Sequence, residues 1–369
     1  MQKNKPSLRG ILTASVFIFI LGGFFLLNRV VAPPEVSRSE RRPLEKMPEF
    51  SVSSVSTAAF MGGFEGFAAD SFVFRDGLRT LRALVVFDVF FQTDKGGLYR
   101  GRAGAGKIER VNEASVRQTA AKITQLAQGL EGLNLYYSFV PDKSIYAGKK
   151  LPGFDAGTVK RILAAGVSGA AFIDLAGVLA AEDYYRGDLH WDQARLSGVL
   201  DALGDAMDFA DRMDADFDAN SIGVFEGVYA GQLALPLAPD KMTYLTNPVL
   251  ENAVVRYLNP RGAVLEEGLM YDLAAFSGRD PYDLFLGGAQ PLVVIDNPAA
   301  ATERRLYIFR DSFSSSLAPL LVPAYAQVTL IDLRYMDSRA LPQFVDFAPG
   351  SDVLFLYSSQ IMNNASVLL

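Results

Sequence analysis

The 369-residue chain has no cysteine, one histidine and one tryptophan. Without cysteine there is no disulfide, no thiolate nucleophile, no iron–sulfur cluster and no cysteine zinc site. A single histidine rules out any centre built on two or three imidazoles, so acid–base chemistry through imidazole falls to His190. Positive charge is scarce as well. Lys and Arg number 35 against 41 Asp and Glu, a net charge of −6, the wrong sign for a nucleic-acid-binding face. No metal and no cofactor is expected. What the chain has in quantity is apolar residue: 50% of the sequence, with 21% charged, enough to bury a core over one large or two small domains.

Only one long uncharged run is present. Lys3, Lys5 and Arg9 precede Gly10–Leu27, which ends at Asn28-Arg29. About 18 to 20 helical residues cross a bilayer, so the run reads as a spanning helix. A cleaved signal peptide has a shorter apolar core, and the nearest small-residue site, Val30-Val31-Ala32, is followed by Pro33, which opposes processing. Residues 1–32 are therefore expected to be a short tail and an uncleaved signal anchor. Arg29, Arg38, Arg41 and Arg42 offset the basic tail, so charge alone does not set the orientation. The proline- and charge-rich residues 33–50 read as a stalk, leaving residues 51–369 as one body.

Within that body, residues 70–92 and Glu113 to about Leu130 carry apolar positions at helical spacing. Strand-like 133–141, helical 155–166, strand-like 169–175 and helical Asp192–Phe209 then alternate. Strand and helix in alternation imply parallel pairing in a doubly wound α/β sheet. Residues 221–300 are short β-like runs broken by Gly, Pro and Asn, an apparent excursion. Three apolar runs, RRLYIF, QVTLIDL and DVLFLYSS, then return to sheet spacing.

Two motifs carry chemistry. In Arg186–Asp192, RGDLHWD, the carboxylate of Asp188 stands two residues from His190. In an extended segment the two share a face, and a carboxylate so placed fixes the imidazole tautomer and stabilises the cation formed in proton transfer. The plainer reading is a capping aspartate beside a satisfied histidine. In Tyr307–Leu321, a buried strand ends at Arg310-Asp311-Ser312 and a helix-like stretch follows. A serine there projects from the carboxyl edge of the sheet, where α/β folds bind ligands. The plainer reading is that Asp311 or Ser312 caps the helix. Together the motifs suggest a Ser312–His190–Asp188 triad, with Ser312 and His190 both expected at a cleft mouth.

These motifs, their order and their setting resemble the DHHW protein family, which is related to the alginate O-acetylation proteins and has an SGNH-hydrolase-like fold. The name motif runs here as Asp188-Leu189-His190-Trp191, with leucine at the first histidine, and the SGNH block G-D-S runs as Arg310-Asp311-Ser312. Asp70-Ser71-Phe72, Phe74-Arg75-Asp76, Val140-Pro141-Asp142-Lys143, Phe285-Leu286-Gly287-Gly288, Ile331–Tyr335 and Asn363-Asn364 fit as well. The resemblance covers roughly residues 48–369. It implies an SGNH-hydrolase-like, doubly wound, mostly parallel sheet behind the N-terminal transmembrane helix, with the serine following the Asp/His pair in a permuted order.

It also implies a function: a membrane-anchored O-acetyltransferase, or acetylesterase, acting on a cell-surface or exported polysaccharide through an acetyl-serine. The catalytic domain would lie on the extracytoplasmic side of the cell membrane, with a membrane-bound O-acyltransferase partner as acetyl source. Ser312 would be the nucleophile, His190 the general base and then acid, and Asp188 the orienting carboxylate. Arg310, in place of the motif's glycine, can bind an acyl or sugar oxygen or enter a salt bridge. Arg334, Tyr335 and Asn363, each just after an expected strand, are candidates for the oxyanion or substrate contacts. The alternative is a non-catalytic polysaccharide-binding or assembly subunit on the same fold, for which Ser312 and His190 need not meet.

Two further patterns carry no function. Gly101–Lys107 matches G-x-x-x-x-G-K, but Ile108 stands where a P-loop needs Ser or Thr, so a glycine-rich turn is expected. Asp201, Asp205, Asp211, Asp214, Asp216 and Asp218 lack the spacing of a calcium loop and read as a solvated helix end.

Overall fold

A computed structural model of the chain describes residues 8–369 except 32–33, 52, 55–56, 58, 102–103, 149–150, 152, 213–215 and 260–263. Lys3, Lys5, Ala32, Pro33 and Asp214 therefore lie outside the described residues. The chain divides into two compact units, one reaching to Gln92 and taking in Ala234–Pro236, the other comprising Thr93–Leu233 and Leu237–Leu369. The unit that carries both motifs thus begins at Thr93 rather than near residue 51. The helices after residue 51 belong instead with the expected stalk, which is itself folded: β1 (Val36–Ser37) pairs antiparallel with β2 (Arg42–Pro43). Arg42 then grips the buried Asp70 through both guanidinium nitrogens at 2.7 Å.

In the first unit, α1 (Leu8–Val30) is long and apolar enough over Leu8–Asn28 to cross a membrane. α2 (Ala59–Asp70) and α3 (Arg75–Leu84) follow, and α3 runs on into a π-helical turn at Val85–Val89.

The second unit opens with a small antiparallel meander, β3 (Asp94–Lys95), β4 (Leu98–Gly101) and β5 (Gly104–Lys107). α4 (Glu113–Gln128), capped by the Asn112 side chain, leads to β6 (Asn134–Val140), and α5 (Ala156–Gly166), capped by Asp155, leads to the short β7 (Ala171–Phe172). α6 (Ser197–Met207) precedes a hairpin of β8 (Asp218–Phe225) and β9 (Asp240–Thr246), interrupted by α7 (Val228–Leu233). After α8 (Pro248–Asn252) come β10 (Val254–Asn259), β11 (Val264–Gly268), β12 (Leu292–Asp296) and β13 (Arg305–Arg310). The chain closes with α9 (Phe313–Leu321), β14 (Gln327–Ile331), β15 (Asp352–Ser358) and α10 (Ser359–Met362).

Eight strands form one sheet in the order β11-β10-β12-β14-β13-β15-β6-β7. From β14 to β7 every pairing is parallel; β12, β10 and β11 add on antiparallel. The expected fold class stands, a mostly parallel α/β sheet behind an N-terminal apolar helix. The stretch 221–300 differs from its reading as an excursion. Its strands β10, β11 and β12 are part of the central sheet, and only the β8–β9 hairpin stands apart. Gly287, Gly288 and Pro291, which broke the pattern, fall in the connection before β12.

Strand alternation splits the core in two. Leu306, Ile308, Leu354 and Leu356 face α6 and α9, while Tyr307, Phe309, Val353 and Phe355 face α4 and α5. At the amino edge a single carboxylate, fully buried Asp352, joins the strands: it accepts from Asn134 at the start of β6 (3.0 Å), from Arg304 before β13 (2.7 Å) and from Tyr325 before β14 (2.8 Å). Asp352→Ala removes the acceptor these three donors share and is expected to cost about 3 kcal/mol, the low end for breaking a buried pair because Arg304 keeps the carbonyls of Met207 and Asp208. Chemical denaturation of the full chain measures it.

Candidate active site

The Ser312 half of the site is a strand-to-helix turn. β13 ends at Arg310, and helical backbone begins at Ser312 (φ −62°, ψ −25°). Capping falls to Asp311: its Oδ1 accepts from the Phe313 N–H (3.1 Å) and its Oδ2 from the Ser358 N–H at the end of β15 (2.6 Å). Asp311 thereby closes the helix start and ties two neighbouring strands, and the Ser312 hydroxyl makes no capping bond. The capping explanation thus applies to Asp311, and Ser312, half-buried, is left for another partner.

That partner is His190, whose Nε2 lies 2.8 Å from Ser312 Oγ. On the other side of the ring, Nδ1 lies 2.8 Å from Asp188 Oδ1. An ionised carboxylate only accepts, so Nδ1 carries the proton and Nε2 is free to accept from the serine hydroxyl. The segment holding this pair is not extended, as the two-residue spacing suggested. It is a loop between Tyr184 and Trp191, which face each other across an antiparallel bridge. Asp188 Oδ1 also accepts from the backbone N–H of His190 (3.1 Å), so aspartate and histidine meet through a local side-chain turn. His190 is 4% exposed. Its ring stacks on Tyr282 (centroids 3.7 Å apart, 7° between planes) and against Phe313, so the expectation of a residue at a cleft mouth does not hold for it.

A loop must be held by its surroundings, and this one is held on every side. Lys143, just past the carboxyl end of β6, is buried with its Nζ donating to the carbonyls of Tyr185 (2.7 Å), Arg186 (3.1 Å) and Asp188 (2.9 Å). Burial pushes this ammonium down to about 8, against the pull of Asp188, Asp240 and Asp142. Asp240 takes the N–H groups of Arg186 (2.5 Å) and Gly187 (2.6 Å), and the Val228 N–H binds Asp188 Oδ2 (2.9 Å). Two glycines let the backbone in. A β-carbon on Gly104 (φ +103°) would lie 2.0 Å from the Arg186 oxygen, and one on Gly227 would lie 2.1 Å from the Gly187 carbonyl carbon. The glycine-rich Gly101–Lys107 match is thus the β4–β5 hairpin (residues 102–103 lie outside the described residues), and its Gly104 makes room for the triad loop.

The two halves are locked together by fully buried Trp191, whose indole N–H donates to the Phe313 carbonyl (3.0 Å) and Ser316 Oγ (2.9 Å) on α9. Gln193 donates to the Ser316 carbonyl (2.7 Å), and Tyr282 bonds Ser316 Oγ (2.6 Å) while stacking on the imidazole.

The remaining expected site residues fare differently. Arg310 is fully buried, donating to Ser315 Oγ (2.7 Å) and to the carbonyls of Gly288 and Gln290. It braces the turn, and its Nε lies 3.9 Å from the buried Asp332 carboxylate, so of its two expected roles, oxygen binder or salt-bridge partner, the second is the one present. Asn363 spends its amide on the Asn112 N–H (2.9 Å) and the Arg110 carbonyl (2.9 Å), pinning the C-terminus to the start of α4, and is likewise structural. Arg334 is held in two bonds by buried Asp332 (2.8 and 2.6 Å) with its guanidinium over the exposed Tyr335 ring; neither touches Ser312. Lys143, Asp240, Gly104, Gly227 and Tyr282 were not anticipated. Only Lys143 had a local signal, its place directly after a strand beside Pro141-Asp142.

No family model matches the sequence, and no curated protein matches it. Among solved structures, a DHHW family protein from Eubacterium siraeum is 18% identical and superposes with a TM-score of 0.60 over 74% of this chain and 95% of its own. PatB1 of Bacillus cereus is 16% identical, with a TM-score of 0.58 over 72% of this chain and 96% of its own, and it has also been solved with a sulfonyl adduct. The resemblance read from Asp188–Trp191 and Arg310–Ser312 is thus matched by a shared fold.

The glycine contact generates a direct test. Gly227→Ala drives a methyl into the peptide preceding Asp188 and is expected to cost about 1–3 kcal/mol by overpacking. It should also shift the NMR signal of the chain's lone imidazole. Gly198→Ala, whose β-carbon meets nothing within 4 Å, should do neither.

Proposed function

We propose that the protein is a membrane-anchored serine O-acetyltransferase that modifies a cell-surface or exported polysaccharide outside the cytoplasm. The observation that carries this reading is the unbroken chain Ser312 Oγ–His190 Nε2 and His190 Nδ1–Asp188 Oδ1, each link 2.8 Å. A purely binding subunit has no need of that alignment. Ser312 attacks the acetyl carbonyl of a donor while His190 takes its hydroxyl proton, and Asp188 stabilises the resulting imidazolium. The tetrahedral intermediate collapses, the imidazolium protonates the leaving group, and an acetyl-serine remains. A sugar hydroxyl then gives its proton to His190 and captures the acetyl group, freeing Ser312. Where water takes the sugar's place the same site is an acetylesterase.

The oxyanion forms beside the first turn of α9. There the Ser312 N–H precedes the first intrahelical donors, Ser314 and Ser315, and the helix start favours negative charge. α1 serves as the anchor and a membrane-bound O-acyltransferase as the acetyl source. Exposed Tyr335 beneath the Arg334 guanidinium offers a face on which a sugar ring can stack.

Acetyl release from a chromogenic ester and acetyl transfer to an oligosaccharide, measured on the full chain, test the reading. Ser312→Ala is expected to lose about a millionfold in kcat, as when a triad nucleophile is removed, and Asp188→Asn about ten-thousandfold. For the buried imidazole, His190→Gln fills the stacking site better than alanine and should lose as much as Ser312→Ala. Equal activity in wild type and Ser312→Ala at matched thermal midpoint would refute the assignment.

A further inference from the structure

In the first unit, the stretch from Phe74 to Phe91 exposes more apolar surface than a water-facing segment can explain. Phe74, Leu78 and Leu81 recur at helical spacing on one side of α3 and are 66%, 42% and 57% exposed. From the last residue of the π-helical turn, Val89, Phe90 and Phe91 continue the exposure at 60%, 66% and 82%, with exposed Asp88 as the one charge among them. On the opposite side Ala83 and Phe87 are buried, while Asp76 in the first turn of α3 faces out. Arginines flank the stripe: Arg75 and Arg79 pair with Glu40, while Arg82 is exposed. An apolar stripe with basic flanks is the pattern of a helix lying in a membrane interface.

The position of the stripe decides what covers it. The turn that precedes it is tied to the end of α1, because the Val73 N–H donates to Asn28 Oδ1 (2.6 Å) and Phe72 packs on Phe24 (centroids 5.2 Å apart). Phe24 lies four residues before Asn28, about 6 Å along a helix axis, so Phe72 reaches the level of the last turn of the apolar helix. Phe74 directly follows Val73, the residue bonded to Asn28. We propose that the Phe74–Phe91 stretch lies in the headgroup–acyl boundary of the bilayer that α1 crosses, as a second, in-plane attachment. The inference rests on reading α1 as the membrane anchor. Its apolar side chains would sink about 5–10 Å, and Arg82, beside Arg75 and Arg79, would extend to lipid phosphates.

Because the chain has no cysteine, single thiols can be placed at will. The full-length protein carrying Leu81→Cys, Asp76→Cys or Ile18→Cys, labelled with an environment-sensitive fluorophore, would be reconstituted in phosphatidylethanolamine–phosphatidylglycerol vesicles. Quenching by brominated lipids is compared with quenching by aqueous iodide. The label at Leu81 should be quenched by lipid brominated near the headgroup and shielded from iodide. The label at Asp76, on a side chain 73% exposed, should behave oppositely, and that at Ile18 should respond most to deep bromine. A lipid-quenched Ile18 label with a Leu81 label that matches Asp76 overturns the in-plane attachment and leaves the anchor standing. A Leu81 label shielded from both quenchers means that protein covers the stripe, which also overturns the proposal. An Ile18 label untouched by lipid overturns the anchor itself, and the inference with it.

Discussion

The site depends on a buried ammonium. Lys143 holds three successive stretches of backbone, at Tyr185, Arg186 and Asp188, through their carbonyl oxygens. Asp240 holds the N–H groups of the same loop. Burying a charge is costly unless every donor is used, and Lys143 uses all three. The return is geometric. A loop that would otherwise sample many conformations presents Asp188 in one, and the imidazole follows from it. Nothing in the loop's own secondary structure would achieve this, since Asp188 and His190 lie between two bridge partners and outside any strand or helix.

The second half of the site is ordered by a different device. Ser312 stands where a parallel strand meets a helix, the usual place for chemistry in an α/β sheet. Such a serine commonly caps its helix. Here Asp311 performs the capping and reaches across to β15, so the serine hydroxyl is free to face His190. Arg310 works on the same turn from below, filling the space next to Ser315 and the Gly288–Gln290 carbonyls. The aspartate and arginine of the Arg-Asp-Ser block are thus scaffolding for its third residue. Trp191 completes the arrangement by bonding the loop to α9.

The parallel core was legible because its strands are short apolar runs separated by helices with aspartate or asparagine caps, as at Asn112 and Asp155. The pairing of Asp188, His190 and Ser312 was legible for a simpler reason: with one histidine and no cysteine, few constellations were available. Its geometry was not, because the two-residue spacing fits an extended strand as well as the side-chain turn that is present. β10 to β12 were hidden by the glycines and prolines of their connections. Gly227 and Tyr282 reach the site through tertiary contacts far apart in the chain, and the place of Lys143 directly after a strand did not show which carbonyls it would hold. Asn363 was misjudged for the converse reason. Standing after a strand places a residue near the carboxyl edge but does not say whether its donors are already taken.

An activated Ser312 nucleophile can be captured covalently by an electrophile. The full chain would be treated with phenylmethanesulfonyl fluoride at neutral pH, followed by intact-mass measurement and peptide mapping. One sulfonyl group per chain is expected, located on Ser312, formed far more slowly in His190→Gln and absent in Ser312→Ala. Label elsewhere with Ser312 unmodified, or equal labelling of Ser312 in wild type and His190→Gln, would contradict an activated Ser312.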